Sequence, residues 1–158
     1  MTDNYKRINA LTNKKLQEDG YYVIKQTLPK DGYYSKAPEE MKQLIDKLGY
    51  QHAWIVVGQV KKFRDKLDFQ AMMYDLKMYD PYYMGSKTYI GEKDWIAPKS
   101  SNLQYLGELD GQDVERVEDW IKEWKGDEDD EDNQHIDFST DQNNCATFVD
   151  WMAEQFGF

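Results

Sequence analysis

One cysteine in 158 residues cannot form an internal disulfide, so the chain is not a disulfide-stapled secreted module. No stretch approaches the roughly 20 consecutive apolar residues that span a bilayer. Met1 to Leu16 is polar and lacks the apolar centre of a signal peptide, so residence in the cytoplasm, or export without a cleavable signal, is the expectation. Cations are scarce: 20 Lys and Arg stand against 30 Asp and Glu, a net charge of −10. That balance argues against wrapping nucleic acid, whose phosphates need cationic partners, and it permits attraction to a basic protein. There is no glycine-rich phosphate loop, no paired-cysteine zinc motif and no Gly-x-Ser-x-Gly elbow, so no cofactor and no metal is expected.

What the chain does have is a core. Hydrophobic residues make up 40% and aromatics 15%, with 12 Tyr and 5 Trp. A chain of this size and composition folds as one domain over 1–158. Residues 1–19 read as a polar segment with a frayed end, and 126–140 as an acidic loop. Tyr21–Ile24 reads as a short strand after Gly20. Pro38, the periodic Met41, Leu44, Ile45 and Leu48, and Gly49 predict a helix over 38–48. His52 to Gly58 is apolar on both faces and predicts a central strand. Residues 59–66 read as a charged hairpin loop and 67–76 as the returning strand, with Phe69, Ala71, Met73 and Asp75 on one face. The stretch 78–101 reads mostly as loop, with a short strand near Thr88–Ile90, followed by a strand at Leu103–Leu109. Val114, Val117, Ile121 and Trp124, with Trp120 beside them, predict a helix over 112–125 capped by Asp110, and a buried final helix runs from about 144 to 156. The fold class is α+β, an antiparallel sheet with packed helices.

The candidate chemistry lies in Asn143-Asn144-Cys145-Ala146-Thr147-Phe148-Val149. Asn143 or Asn144 can cap the last helix and leave Cys145 in its first turn. Unpaired N–H groups and the positive dipole end favour a thiolate there, and the Cys145 N–H can meet an oxyanion on a substrate. A thiolate also needs a base to take its proton and return it to the leaving group. His52, at the head of the apolar strand, is that candidate, with His135 as its rival. A hairpin centred near Arg64 sets position 52 opposite about 76, which makes Asp75 the candidate to orient the imidazole.

Each residue also has a bland explanation. A lone Cys is often a small buried hydrophobe, and a strand-end His or Asp is often simply solvated or satisfied. Asp127–Asp132 is six consecutive acids. It reads as a solvated loop, since it lacks the spaced oxygens and glycine turn of a calcium loop. The cluster Lys61, Lys62, Arg64 and Lys66 reads as a hairpin tip rather than a lipid-binding patch.

His52-Ala53-Trp54-Ile55-Val56-Val57-Gly58, followed late in the chain by the Asn-Cys-x-x-Phe-Val run, resembles the circularly permuted papain-like cysteine hydrolases. That superfamily includes NlpC-like peptidases and relatives of lecithin–retinol acyltransferase. The resemblance implies Cys145 as nucleophile, His52 as base and Asp75 in the orienting position. It implies an amide, ester or thioester substrate, carried on a peptide, an isopeptide or an acyl lipid, and a Cys145 acyl-enzyme. The alternative from composition is a non-catalytic acidic binding or inhibitor protein for a basic partner.

Overall fold

β2 (His52–Phe63) lies at the middle of the molecule because its stretch from Ala53 to Val57 has no polar face to offer water. Ala53, Ile55 and Val57 are buried on one side of it, and Val56 and Val60 on the other. A strand apolar on both faces is stable only inside a sheet covered on both sides. The sheet has five antiparallel strands in the order β4-β3-β2-β1-β5, with β1 at Tyr21–Leu28, β3 at Lys66–Met78, β4 at Thr88–Asp94 and β5 at Asn102–Leu109. The computed structural model describes residues 3–98, 102–124, 138–139 and 144–158. Among them are five helices: α1 (Asp3–Thr12), α2 (Gly32–Lys36), α3 (Glu39–Leu48), α4 (Gly111–Trp124) and α5 (Cys145–Gln155). The architecture is α+β.

Helices cover both faces of the sheet. On one, Val117 and Ile121 of α4 and Phe148, Val149 and Met152 of α5 pack on Val23, Ile55, Val57 and Leu76. On the other, Tyr5 and Ile8 of α1 close over Ile24, Val56, Phe69 and Trp95. The N-terminal segment is therefore not a frayed end from residue 3 onward. Tyr5 and Ile8 lie one helical turn apart and are 1% and 0% exposed, and the Tyr5 hydroxyl donates to the Leu16 carbonyl at 2.7 Å. Asn4 and Arg7 add hydrogen bonds from the same helix to the carbonyls of Phe69, Trp95 and Ala97.

The hairpin also differs from the sequence reading. Residues 59–63 continue β2, and Phe63 pairs with Lys66 across a turn of two residues. Arg64 and Asp65 both have positive φ, 51° and 61°, the backbone whose twist matches that of the flanking strands. β4 extends through Asp94, well past the predicted Thr88–Ile90, because it pairs with β3 along its whole length. The predicted acidic loop over 126–140 falls outside the described residues except for Phe138 and Ser139.

The pairing of β2 with β3 stops at Ile55–Tyr74. Beyond it the strands part: Ala53 and His52 stay paired with Thr27 and Leu28 of β1, while Asp75 to Met78 stay paired with Gly91 to Thr88 of β4. A small third cluster, built on Met41, Leu44 and Ile45 of α3, sits apart from both main cores and includes Met78 and Phe138.

Candidate active site

The N-terminus of α5 is fixed by a reciprocal cap. Asn144 Oδ1 accepts the N–H groups of Ala146 and Thr147 at 2.9 and 3.0 Å, and Thr147 Oγ1 accepts the Asn144 N–H at 2.9 Å. Each of these groups would otherwise be an orphan of the first helical turn. Cys145 follows as the first helical residue, so its N–H is spared by the cap and stands beside its own thiol. Cys145 is buried, 9% exposed.

His52 opens β2, where β2 and β3 part. Its Nε2 lies 3.4 Å from Asp75 Oδ2, at the long end of hydrogen-bond distance. The Asp75 side chain is only 7% exposed, and a buried carboxylate needs a partner of this kind. With Nε2 given to Asp75, Nδ1 is the ring nitrogen left for the thiol. Burial opposes charging the ring. Hydrogen bonding to Asp75 and to the Cys145 thiol, with Coulombic attraction to both, outweighs burial and lifts the His52 pKa from 6.5 to about 9. The His52 side chain is 27% exposed, so its charge is only partly screened by water.

Continuing the register of the hairpin, the β3 position level with His52 is Lys77, and Asp75 is its diagonal neighbour on the same face. Position 76, where the sequence count put the partner of His52, points to the opposite face. Gly91 makes room for the carboxylate. It pairs with Asp75 on β4, and a Cβ built there would sit 2.8 Å from Asp75 Oδ1.

His52, Cys145, Asn144 and Gln51 share a cavity of about 290 Å³. Much of the rest of its lining is aliphatic, Met41, Leu44, Ile45 and Leu48 of α3 with Leu76 and Met78 of β3, and Tyr33, Phe138 and Thr88 complete it with Leu28 and Pro81. Lys77 also lines it, and no Asp or Glu does among the described residues. Gln51 Oε1 accepts the N–H of Asp31 at 3.1 Å, which turns the Gln51 amide so that its NH2 group remains to donate. Tyr50 stands close by. Burial first, then the charges of Cys145 and Asp150, push its phenol up to about 12, so it stays a donor at neutral pH.

The structure thus brings together all three residues that the sequence singles out. The rival base His135 and the acidic run at 127–132 lie outside the described residues. Among the described residues no group of three or more His, Cys, Asp or Glu is placed to hold a metal ion. No helix among them is long and apolar enough to cross a membrane. Gln51, Lys77 and the α3 wall escaped the sequence reading. Gln51 adjoins His52 in the chain and carried a positional signal, whereas the others reach the cavity only through the fold. Comparisons with protein families, with curated proteins and with solved structures gave no match.

Proposed function

We propose that this chain is a cysteine acyl-transfer enzyme of the circularly permuted papain-like kind, a hydrolase or acyltransferase acting through a Cys145 acyl-enzyme. One observation carries the reading: a histidine held by a buried carboxylate shares a cavity with the chain's only thiol, at a helix N-terminus. The order of histidine strand before cysteine helix and the α+β architecture support the papain-like part.

In the first step Sγ, its proton already held by the charged His52 ring, attacks the substrate carbonyl carbon. The carbonyl oxygen becomes an oxyanion facing the free Cys145 N–H. The tetrahedral intermediate collapses, the bond to the leaving group breaks, and His52 gives that group its proton. Asp75 keeps the ring oriented and stabilises its charged form, as the raised His52 pKa requires. Water, or an acceptor nucleophile, then attacks the thioester with His52 as base and frees Cys145. The aliphatic wall of α3 supports an acyl side that is apolar, an acyl chain or an apolar residue.

Intact-mass spectrometry after mixing with an activated thioester tests the reading. The wild type is expected to gain one acyl group at Cys145, while Cys145→Ala gains none and His52→Ala gains it slower by about 10²–10⁴-fold. Acylation of His52→Ala at the wild-type rate would refute it and leave an acidic binding protein as the better account.

A further inference from the structure

The cavity is electrostatically unlike the rest of the molecule. The chain carries a net charge of −10, yet no carboxylate lines the cavity among the described residues, and one lysine does. Lys77 makes no ion pair with any described residue. Its neighbour Asp75 is turned to His52 instead. The Lys77 stem lies along β4, where a Cβ at Gly91 would come within 3.1 Å of its Cε. A half-buried lysine with an apolar stem and no ion pair among the described residues is poised to meet a negative group brought by a ligand.

The position of Lys77 says which part of the ligand that is. The β2–β3 register, extended past Ile55–Tyr74, sets it level with His52, which in the proposed chemistry hands its proton to the leaving group. The acyl side meets the aliphatic wall of α3, where no charge is available. Resting on the proposed acyl-enzyme chemistry, we infer that the natural substrate carries an anion on its leaving group and that Lys77 selects for it. The shared chemistry is a carboxylate or a phosphate within a few bonds of the scissile carbonyl. The net charge of the protein repels such a substrate at long range, so the preference has to be local, made inside the cavity.

Three hexanoyl thioesters test this: those of mercaptoacetate, of its methyl ester and of mercaptoethyl phosphate. In the wild type, kcat/KM for an anionic donor is expected to exceed that for the neutral ester by about ten- to hundredfold, the size of one hydrogen bond to a charged group. The larger of the two anionic values distinguishes carboxylate from phosphate. The preference is expected to shrink as salt shortens the screening length to about 3 Å at about 1 M. Lys77→Met is expected to bring the ratio close to one, and Lys77→Arg to keep most of it. Circular dichroism and iodoacetamide alkylation of Cys145, which expels iodide and so tests neither a carboxylate nor a phosphate on the leaving group, show in parallel whether fold and pair survive in each variant. A wild-type ratio near one, or a ratio that Lys77→Met leaves intact, overturns the inference while an acyl-enzyme still formed upholds the function. If none of the three thioesters acylates Cys145, the proposed function falls and takes the inference with it.

Discussion

Asp75→Asn separates charge from shape at the site. The amide fits the space of the carboxylate and still offers an oxygen to His52, but it cannot hold an imidazolium as an anion does. The rise of the His52 pKa from 6.5 to about 9 corresponds to about 3 kcal/mol of preference for the charged ring. Asp75 and Cys145 share that preference against the opposing effect of burial. Losing the Asp75 charge should therefore remove about 2 kcal/mol, one hydrogen bond to a charged group, and lower the His52 pKa by about one and a half pH units.

The consequence for stability has a definite sign. A histidine whose folded pKa lies above its unfolded one stabilises the protein fully below the unfolded value and ceases to do so as pH rises through the folded value. The cost of Asp75→Asn is thus expected in full below pH 6.5 and should be gone above about 9. Urea unfolding followed by tryptophan fluorescence at several pH values measures it. With two histidines in the chain, an NMR titration with a His52→Gln control reads the pKa itself. Acylation should slow, and the alkaline fall of activity, near pH 9 in the wild type, should move to lower pH. A pH-independent cost, or His52 titrating near 6.5 in the wild type, refutes the coupling of these three residues.

Asn144→Ala is expected to cost about 1 kcal/mol of stability, because two N–H groups lose their acceptor, and to slow acylation as Cys145 loses its fixed place; urea unfolding and acylation rates check both. Gly91→Ala should push on the Asp75 carboxylate, which a Cβ would meet at 2.8 Å, and so shift the alkaline limb of the pH–activity curve in the same direction as Asp75→Asn. An unchanged curve in a folded Gly91→Ala protein would mean that the orientation of His52 does not depend on that carboxylate.

What the sequence made legible was whatever a local pattern determines. Two-faced apolarity marked β2 as central, and the periodic Met41, Leu44, Ile45 and Leu48 with Gly49 marked α3, whose Gly49 cap has φ 82°. The hairpin tip misled for a physical reason. Lys61, Lys62 and Phe63 are exposed because the strands run out past the core into water, and charge there looks like loop although the backbone is still paired. The turn itself, Arg64-Asp65, carries no glycine or asparagine to announce its positive φ. α1 was missed because only two of its residues are fully committed to the core, too few to stand out in a polar segment.

The site shows how a near miss in register matters. Centring the turn on Arg64 put position 76 opposite His52, and a slip of one residue reverses every side chain on a strand. Under that count Asp75 would face away from His52. The two-residue turn moves the level position to Lys77 and returns Asp75 to the same face as the ring. One structural fact therefore sets two positions at once: Asp75 becomes the diagonal neighbour of His52, and Lys77 becomes the residue that the proposed chemistry sets beside the leaving group. Inserting one residue into the Arg64-Asp65 turn would shift β3 against β2 and break both relations together. The arrangement of His52, Asp75 and Lys77 is tied to the length of a hairpin turn that lies at the far end of the same two strands.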